Sequence, residues 1–195
     1  MAAHVRTACH AAYRALPDRL AEAGVAIVGL WRRPFAPVVR DLAGHDRGWL
    51  AEIATAACGL PVITVSGVHD PVGLPGLVAE HDGERLGALT YRVGAGGIEV
   101  VTLNSLAEGR GIGSALLAGA QQVARLAGQR LWLIAGNENI RAIGCYQRRG
   151  MDMVALHRHF ADQVRRVKPA VPGAAHAGIT YRHAIEFEYP APAAG

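Results

Sequence analysis

Apolar and polar positions fall into regular order from about residue 36 onward. "APVVRDL" (36–42) predicts a strand, and "GHDRGWLAEIATAAC" (44–58) a helix with Trp49, Leu50, Ile53, Ala54 and Ala57 at helical spacing. "PVITVSG" (61–67) is a β-branched run, followed by the turn-rich "HDPVGLPG". Three strands are expected next, at 77–82, 85–93 and 98–106. The joints "DGE" and "GAGG" are short and contain glycine, so these strands should form an antiparallel meander. The period then becomes helical: Ile112, Leu116, Leu117, Ala120, Val123, Ala124 and Ala127 share one face of a helix that stops at Gly128. "RLWLIAG" (130–136) is apolar throughout, as a strand buried on both faces must be. A second helix is expected over 139–149, ended by Gly150.

Strand 98–106, helix 111–127 and strand 130–136 make a βαβ unit. The fold class expected is therefore α/β (α+β), with a mixed central sheet, an antiparallel N-terminal meander, a central βαβ unit and flanking helices. Residues 1–35 stand outside this plan. Val5, Ala8, Cys9, Ala12, Tyr13 and Leu16 predict a short amphipathic helix ended by Pro17, either docked or part of a poorly ordered extension. The expected organisation is an extension at 1–35, one domain at 36–190 and a short tail at 191–195.

Composition narrows the class. A chain of 195 residues that is 51% hydrophobic can bury a proper core. Its pI near 9.3 comes from 20 basic against 16 acidic residues, but the bases are scattered along the chain and all but Lys168 are arginines. A nucleic-acid stripe would cluster them on one element, so no nucleic-acid partner is expected. Cys9, Cys58 and Cys145 lie far apart without metal-ligand spacing, which implies no metal, reduced thiols and a cytoplasmic setting. Arg6, Arg14, Asp18, Arg19 and Glu22 interrupt any secretory h-region, and "VAIVGLW" (25–31) is too short to span a bilayer, so no membrane association is expected.

The chemistry concentrates in "EGRGIGSALL" (108–117). A glycine-rich turn feeding a helix N-terminus leaves outward backbone N–H groups without intrahelical partners, in a field of roughly half a positive charge. Such a site suits phosphate oxygens, and Gly109, Gly111 and Gly113 remove the Cβ atoms that would hold them off. A tight turn without a ligand is the plainer alternative. A Walker loop would need Lys and then Ser or Thr after the last glycine, where this chain has Ser114-Ala115. A dinucleotide fingerprint fails at its third small position, Ser114, and lacks the acidic residue at the end of the next strand. In "GNENIRAIGCYQRRGM" (136–151), Asn139 and Tyr146 are seven residues apart, so on a helix they leave one face about 10 Å apart along the axis and could bracket an elongated ligand.

Taken together, these two stretches resemble the GCN5-related N-acetyltransferase (GNAT) superfamily. Its phosphate motif Q/R-x-x-G-x-G/A appears as Glu108-Gly109-Arg110-Gly111-Ile112-Gly113. Its second motif, N-x-N-A-R-A-L-x-F-Y-x-x-x-G-F, appears as Asn137 to Tyr146 with Gly150-Met151 closing it. The resemblance covers about 36–190. Departures are Glu108 for Gln or Arg, Ile140 for Ala and Met151 for Phe. A carboxylate at 108 would repel a pyrophosphate unless turned outward, with Arg110 as the residue expected to compensate.

The resemblance implies an acetyl-CoA-dependent N-acetyltransferase acting on a primary amine of a small molecule or peptide by direct transfer, with a homodimer as the candidate assembly. It implies that the backbone of Val101, Thr102 and Leu103 bonds the pantetheine arm. Arg110, Gly111, Ile112, Gly113 and Ser114 would take the pyrophosphate, Asn139 would contact the cofactor, and Tyr146 would be the general acid at the sulfur. Amine attack also needs a base. Glu99, read by strand alternation as sharing a face with Val101 and Leu103, is the candidate; a cross-strand pair with Arg92 is the equal alternative. His69 and His81 are runners-up. The segment 162–183, read as a long connection between the last two strands, carries Arg165, Arg166, Lys168, His176, Arg182 and His183 against Asp162, a field that would favour an acidic acceptor or merely solvate a loop. A catalytically silent acyl-CoA-binding sensor on the same fold is the alternative function.

Overall fold

The meander forms where the joints predict it. In the computed structural model, which describes residues 35–169, 171 and 178–191, β4 (Gly76–His81), β5 (Glu84–Gly94) and β6 (Gly97–Ser105) pair antiparallel in sequence. The β4–β5 turn is a two-residue hairpin with both Asp82 and Gly83 at positive φ, the geometry that matches strand twist. With β1 (Val38–Asp41), β7 (Leu131–Gly136), β8 (Asp152–His157) and β9 (Ala184–Tyr189), these strands make a seven-stranded sheet in the order β1-β4-β5-β6-β7-β9-β8. Only β6 and β7 are parallel; every other neighbouring pair is antiparallel. The expected N-terminal helix lies outside the described residues.

Helices α1 (Arg47–Cys58), α2 (Ile112–Leu126), α3 (Ile140–Arg148) and α4 (Phe160–Val167) cover the sheet. Opposed residues on paired strands share a face, which allows the two sides to be sorted. On one side, α2 buries Ile112, Leu116, Leu117, Ala120 and Ala124, the stripe its period predicts. It packs where Gly87 offers no side chain: a Cβ there would stand 2.5 Å from the Asn104 carbonyl oxygen and 2.7 Å from Ile112 Cγ2. That close approach seats the first residue of α2 directly on β5. On the other side lie α1, with Leu50 and Ala54 fully buried, and α4, whose Phe160 and Val164 pack with Ala184, Ile63 and Ile134.

Two segments differ from the sequence reading. The β-branched run at 61–67 stays out of the main sheet and starts a separate hairpin, β2 (Val62–Thr64) and β3 (Gly67–His69), with Val65-Ser66 as its turn. The connection after residue 160 begins with α4, because Phe160, Ala161 and Val164 give the segment an apolar edge to bury. α4 is tied to α1: Lys168 Nζ donates to the carbonyls of Cys58 (3.0 Å) and Gly59 (2.9 Å) at the α1 C-terminus, where a cation is favoured.

The approach to α1 is held by a buried carboxylate. Asp46 accepts from Arg40 Nη1 (2.6 Å) and Nη2 (3.1 Å) and from the Ala43 amide (2.9 Å), and Arg85 Nη1 stands 3.5 Å away. The hydrogen bond from Arg40 outweighs burial and holds the Asp46 carboxyl well below the usual carboxylate range.

Candidate active site

The parallel strands β6 and β7 meet only at Ile98–Leu131 and Glu99–Trp132. Beyond that apex β6 continues to Ser105 and β7 to Gly136 without pairing, so the sheet is split, and the split opens toward the glycine loop that follows β6. The edge of β6 facing the split therefore presents peptide groups that β7 does not satisfy, and such groups call for another partner. A bulge sharpens this. Tyr91 opposes Val100 and Thr90 opposes Thr102, which leaves Val101 with no opposite residue on β5.

The bulge also corrects the alternation expected for β6. Glu99 opposes Arg92 and Thr102 opposes Thr90, with the two threonine hydroxyls 2.7 Å apart, so Glu99 shares its face with Thr102. Leu103 opposes Leu89 and belongs to the α2 side. One extra residue shifts the period by one, and Glu99 and Leu103 end on opposite faces.

At the open end, Gly111 caps α2 in the left-handed region (φ 81°) with no side chain bonded to the first turn. The first backbone bond of the helix is Ala115 N–H to Gly111 O, so the amides of Ile112, Gly113 and Ser114 precede the helical ladder. A Cβ at Gly109, Gly111 or Gly113 would meet nothing within 4 Å, so the space beside the loop is open. Glu108 is neutralised from α3: Arg141 Nη1 lies 2.7 Å from its carboxylate, and both side chains are exposed. Arg141 thus supplies a compensating cation for Glu108. Arg149 donates to the Ser114 hydroxyl, which brings a second arginine to the loop.

Asn139 and Tyr146 stand in different surroundings on α3, the first exposed and the second buried. Asn139 is the N-cap of α3, its side-chain oxygen accepting from the Ala142 amide at 3.1 Å. Tyr146 is 8% exposed and packs edge-to-face on Phe187 at 5.3 Å. Burial pushes its phenol up to about 12.

The opposite face of the split carries the acid. Glu99 is fully buried; its Oε2 accepts from Ser66 Oγ and lies 3.5 Å from Arg92 Nη1, while Oε1 has no hydrogen-bond partner. The cross-strand pair with Arg92 and a freely acting carboxylate oxygen therefore coexist. Asn104 Nδ2 and Trp132 Nε1 are likewise buried without partners, and buried polar atoms left so are costly enough to indicate a site. His69 lies next to Glu99 through Ser66, with Nε2 3.0 Å from the hydroxyls of both Ser66 and Thr64. Ser66 and Thr64 join the site without a motif of their own; the Ser-Gly pair at 66–67 is the one turn signal the sequence offers for them. His81 sits instead at the β4–β5 turn, 3.3 Å from the Ala36 carbonyl oxygen. In the connection, Arg165 is held by Asp162 (3.3 Å) and by the Tyr181 carbonyl (3.0 Å), whereas Arg166 is exposed.

A mixed sheet parted between two parallel strands, with a glycine-rich helix start at the mouth of the gap, defines a class of acyltransferase fold. The model of the acetyltransferase (GNAT) family matches residues 31–151, and the chain belongs to that family. A relative, the uncharacterized protein YdhI of Bacillus subtilis (strain 168), is 36% identical over 132 residues, covering 66% of this chain and 82% of YdhI. Among solved structures, the ribosomal-protein-S18-alanine N-acetyltransferase of Escherichia coli is similar with a TM-score of 0.60 at 18% identity, covering 82% of this chain and 97% of that one. A GNAT family acetyltransferase from Elizabethkingia anophelis with acetyl-CoA bound has a TM-score of 0.58 at 15% identity, covering 79% and 97%. At these identities the likeness to solved structures is one of fold. Among the described residues no group of three or more His, Cys, Asp or Glu could hold a metal ion, and no helix is long and apolar enough to cross a membrane.

Proposed function

We propose that the chain, through residues 36–190, transfers an acetyl group from acetyl-CoA directly to a primary amine of a small molecule or peptide. The observation that carries this reading is the split between β6 and β7, with its unpaired inner edge and its bulge at Val101. The backbone of Val101, Thr102 and Leu103 would bond the amide-bearing arm as a missing strand would. The amides of Gly111 to Ser114 would receive the diphosphate, for which the open space beside Gly113 leaves room. Arg110 extends the positive charge of that loop, and Asn139 acts by fixing the start of α3 beside it rather than through a free side chain.

Bound acetyl-CoA supplies the thioester whose carbonyl carbon the amine attacks. Glu99 Oε1, buried and lacking a partner, accepts a proton from the incoming ammonium and leaves a nucleophilic amine. Asn104 and Trp132 offer donors on the same side of the split. Tyr146 donates to the departing sulfur. A phenol near 12 facing a thiol of reference value near 8.5 makes complete transfer uphill by about 5 kcal/mol, so Tyr146 must recover a proton from the acylated nitrogen as it gives one up. A silent acyl-CoA sensor is favoured by one observation, the packing of Tyr146 against Phe187 as a core aromatic.

A panel of polyamines, amino sugars, amino acids and short peptides with free N-termini, followed by thiol release from acetyl-CoA and by mass of the product, separates the two. Amine-dependent thiol release with a gain of one acetyl group supports transfer. Tight acetyl-CoA binding with no acceptor-dependent release across the panel supports the sensor.

A further inference from the structure

Glu99 has a problem that its burial creates. A carboxylate with no solvent exposure can take one proton from an ammonium group, but it must lose that proton before the next turnover. The hairpin β2–β3 supplies a route. Ser66 Oγ donates to Glu99 Oε2 and stands 3.0 Å from His69 Nε2. Thr64 Oγ1 accepts from the Ser66 amide at 3.2 Å and lies 3.0 Å from the same His69 nitrogen. Ser66 is exposed and His69 half-buried, so the chain of groups runs from a buried acid to water. The hairpin is short, but its turn holds the serine in place through the Thr64 hydroxyl, 3.1 Å from the serine oxygen.

We infer that Ser66 and His69 form a proton relay that empties Glu99 to solvent, a role that rests on the proposed reading of Glu99 as the base. In the resting arrangement Ser66 donates to Glu99, and Thr64 donates to His69 Nε2 in its Nδ1–H tautomer. Glu99 Oε1 then takes one proton: an N–H bond of the ammonium breaks, an O–H bond forms, and the electron pair stays on nitrogen. Rotation about Cγ–Cδ, a soft torsion in glutamate, turns that proton toward Ser66. The Ser66 hydroxyl hydrogen turns from Glu99 to His69 Nε2 as the Thr64 hydrogen turns away from it, and Glu99 then gives its proton to Ser66 Oγ while Ser66 passes its own to His69 Nε2. His69, now an imidazolium, releases the Nε2 proton to water, which reaches it because its side chain is only half-buried. Glu99 ends ionised, Ser66 and His69 end neutral, and one proton has crossed from the site to solvent. Ser66 and His69 act only through Glu99 and are positioning residues, not catalytic ones.

The test compares Ser66→Ala, Ser66→Thr, His69→Ala and Glu99→Gln in the full chain, using the fastest acceptor of the amine panel. Acetyl-CoA affinity is measured alongside by calorimetry. Ser66→Ala and His69→Ala are expected to lower kcat about 10- to 100-fold with acetyl-CoA affinity unchanged. Ser66→Thr, which keeps the hydroxyl, should remain within about threefold of the parent, and added imidazole should raise kcat of His69→Ala but not of Ser66→Ala. A purely structural hairpin would show neither hydroxyl rescue nor imidazole rescue. The relay is overturned if Glu99→Gln is inactive while Ser66→Ala keeps parental kcat, or if imidazole leaves His69→Ala unchanged. If Glu99→Gln itself keeps parental kcat, the reading of Glu99 as base fails first and the relay with it.

Discussion

The two faces of the split are built by different means. On the α2 side, the glycine loop, the helix start and the strand edge are backbone features of consecutive residues, 97 to 126, and glycines make them available. On the α1 side, the groups are side chains gathered from distant segments: Glu99 from β6, Ser66 and His69 from the hairpin and Trp132 from β7, while α4 packs on Ile63 and Val65. The first half presents peptide dipoles suited to a fixed, charged cofactor. The second presents side-chain groups that run from the buried Glu99 to the exposed Ser66.

That contrast can be broken by substitution. The largest effect is expected from Glu99→Gln, which keeps shape and removes the base: kcat should fall about 10²–10³-fold with acetyl-CoA affinity within twofold. Gly113→Val should do the reverse, since its Cβ enters open space and not the protein. Acetyl-CoA affinity by calorimetry should fall on the order of 10²-fold as charge-assisted bonds to the loop are blocked, with the thermal midpoint little changed. Tyr146→Phe preserves the contact with Phe187 and should cost about 10²-fold in kcat at unchanged acetyl-CoA affinity; a twofold loss would return Tyr146 to the core.

Smaller effects lie away from the split. Asp46→Asn removes one partner of a buried ion pair and should cost roughly 2–3 kcal/mol in denaturant unfolding, less than a wholly buried pair because Arg40 is partly exposed. The sign of its pH dependence follows from the lowered carboxyl: the stabilisation is fully present above the ordinary carboxylate range and is lost as pH falls below about 4. Arg166→Glu, on the exposed side of α4, should change KM for the best amine less than about threefold, because surface charges are screened at physiological salt. A larger change would extend the acceptor site to α4.

What could be read from sequence divides along the same line. The meander, the βαβ unit and the glycine loop depend on neighbours in the chain, so alternation, helical period and turn residues disclosed them. The bulge at Val101 left no local mark, and it placed Leu103 on the wrong face. β2–β3 was hidden because a β-branched run at 61–65 looks the same whether it joins the sheet or folds back at Ser66. α4 carries its own period in Phe160, Ala161 and Val164, but Arg165, Arg166 and Lys168 made it read as a solvated loop. The pairing of Glu108 with Arg141 spans a helix, a strand and a turn, and spacing alone does not reveal it.

The most direct test of a molecule divided in this way is a crossed measurement on Gly113→Val and Glu99→Gln, taking acetyl-CoA dissociation constant and acceptor-dependent kcat for each. The account predicts that Gly113→Val weakens acetyl-CoA binding while kcat at saturating acetyl-CoA stays within a fewfold of the parent, and that Glu99→Gln lowers kcat while binding acetyl-CoA as the parent does. Equal losses of both constants in either folded variant would contradict it.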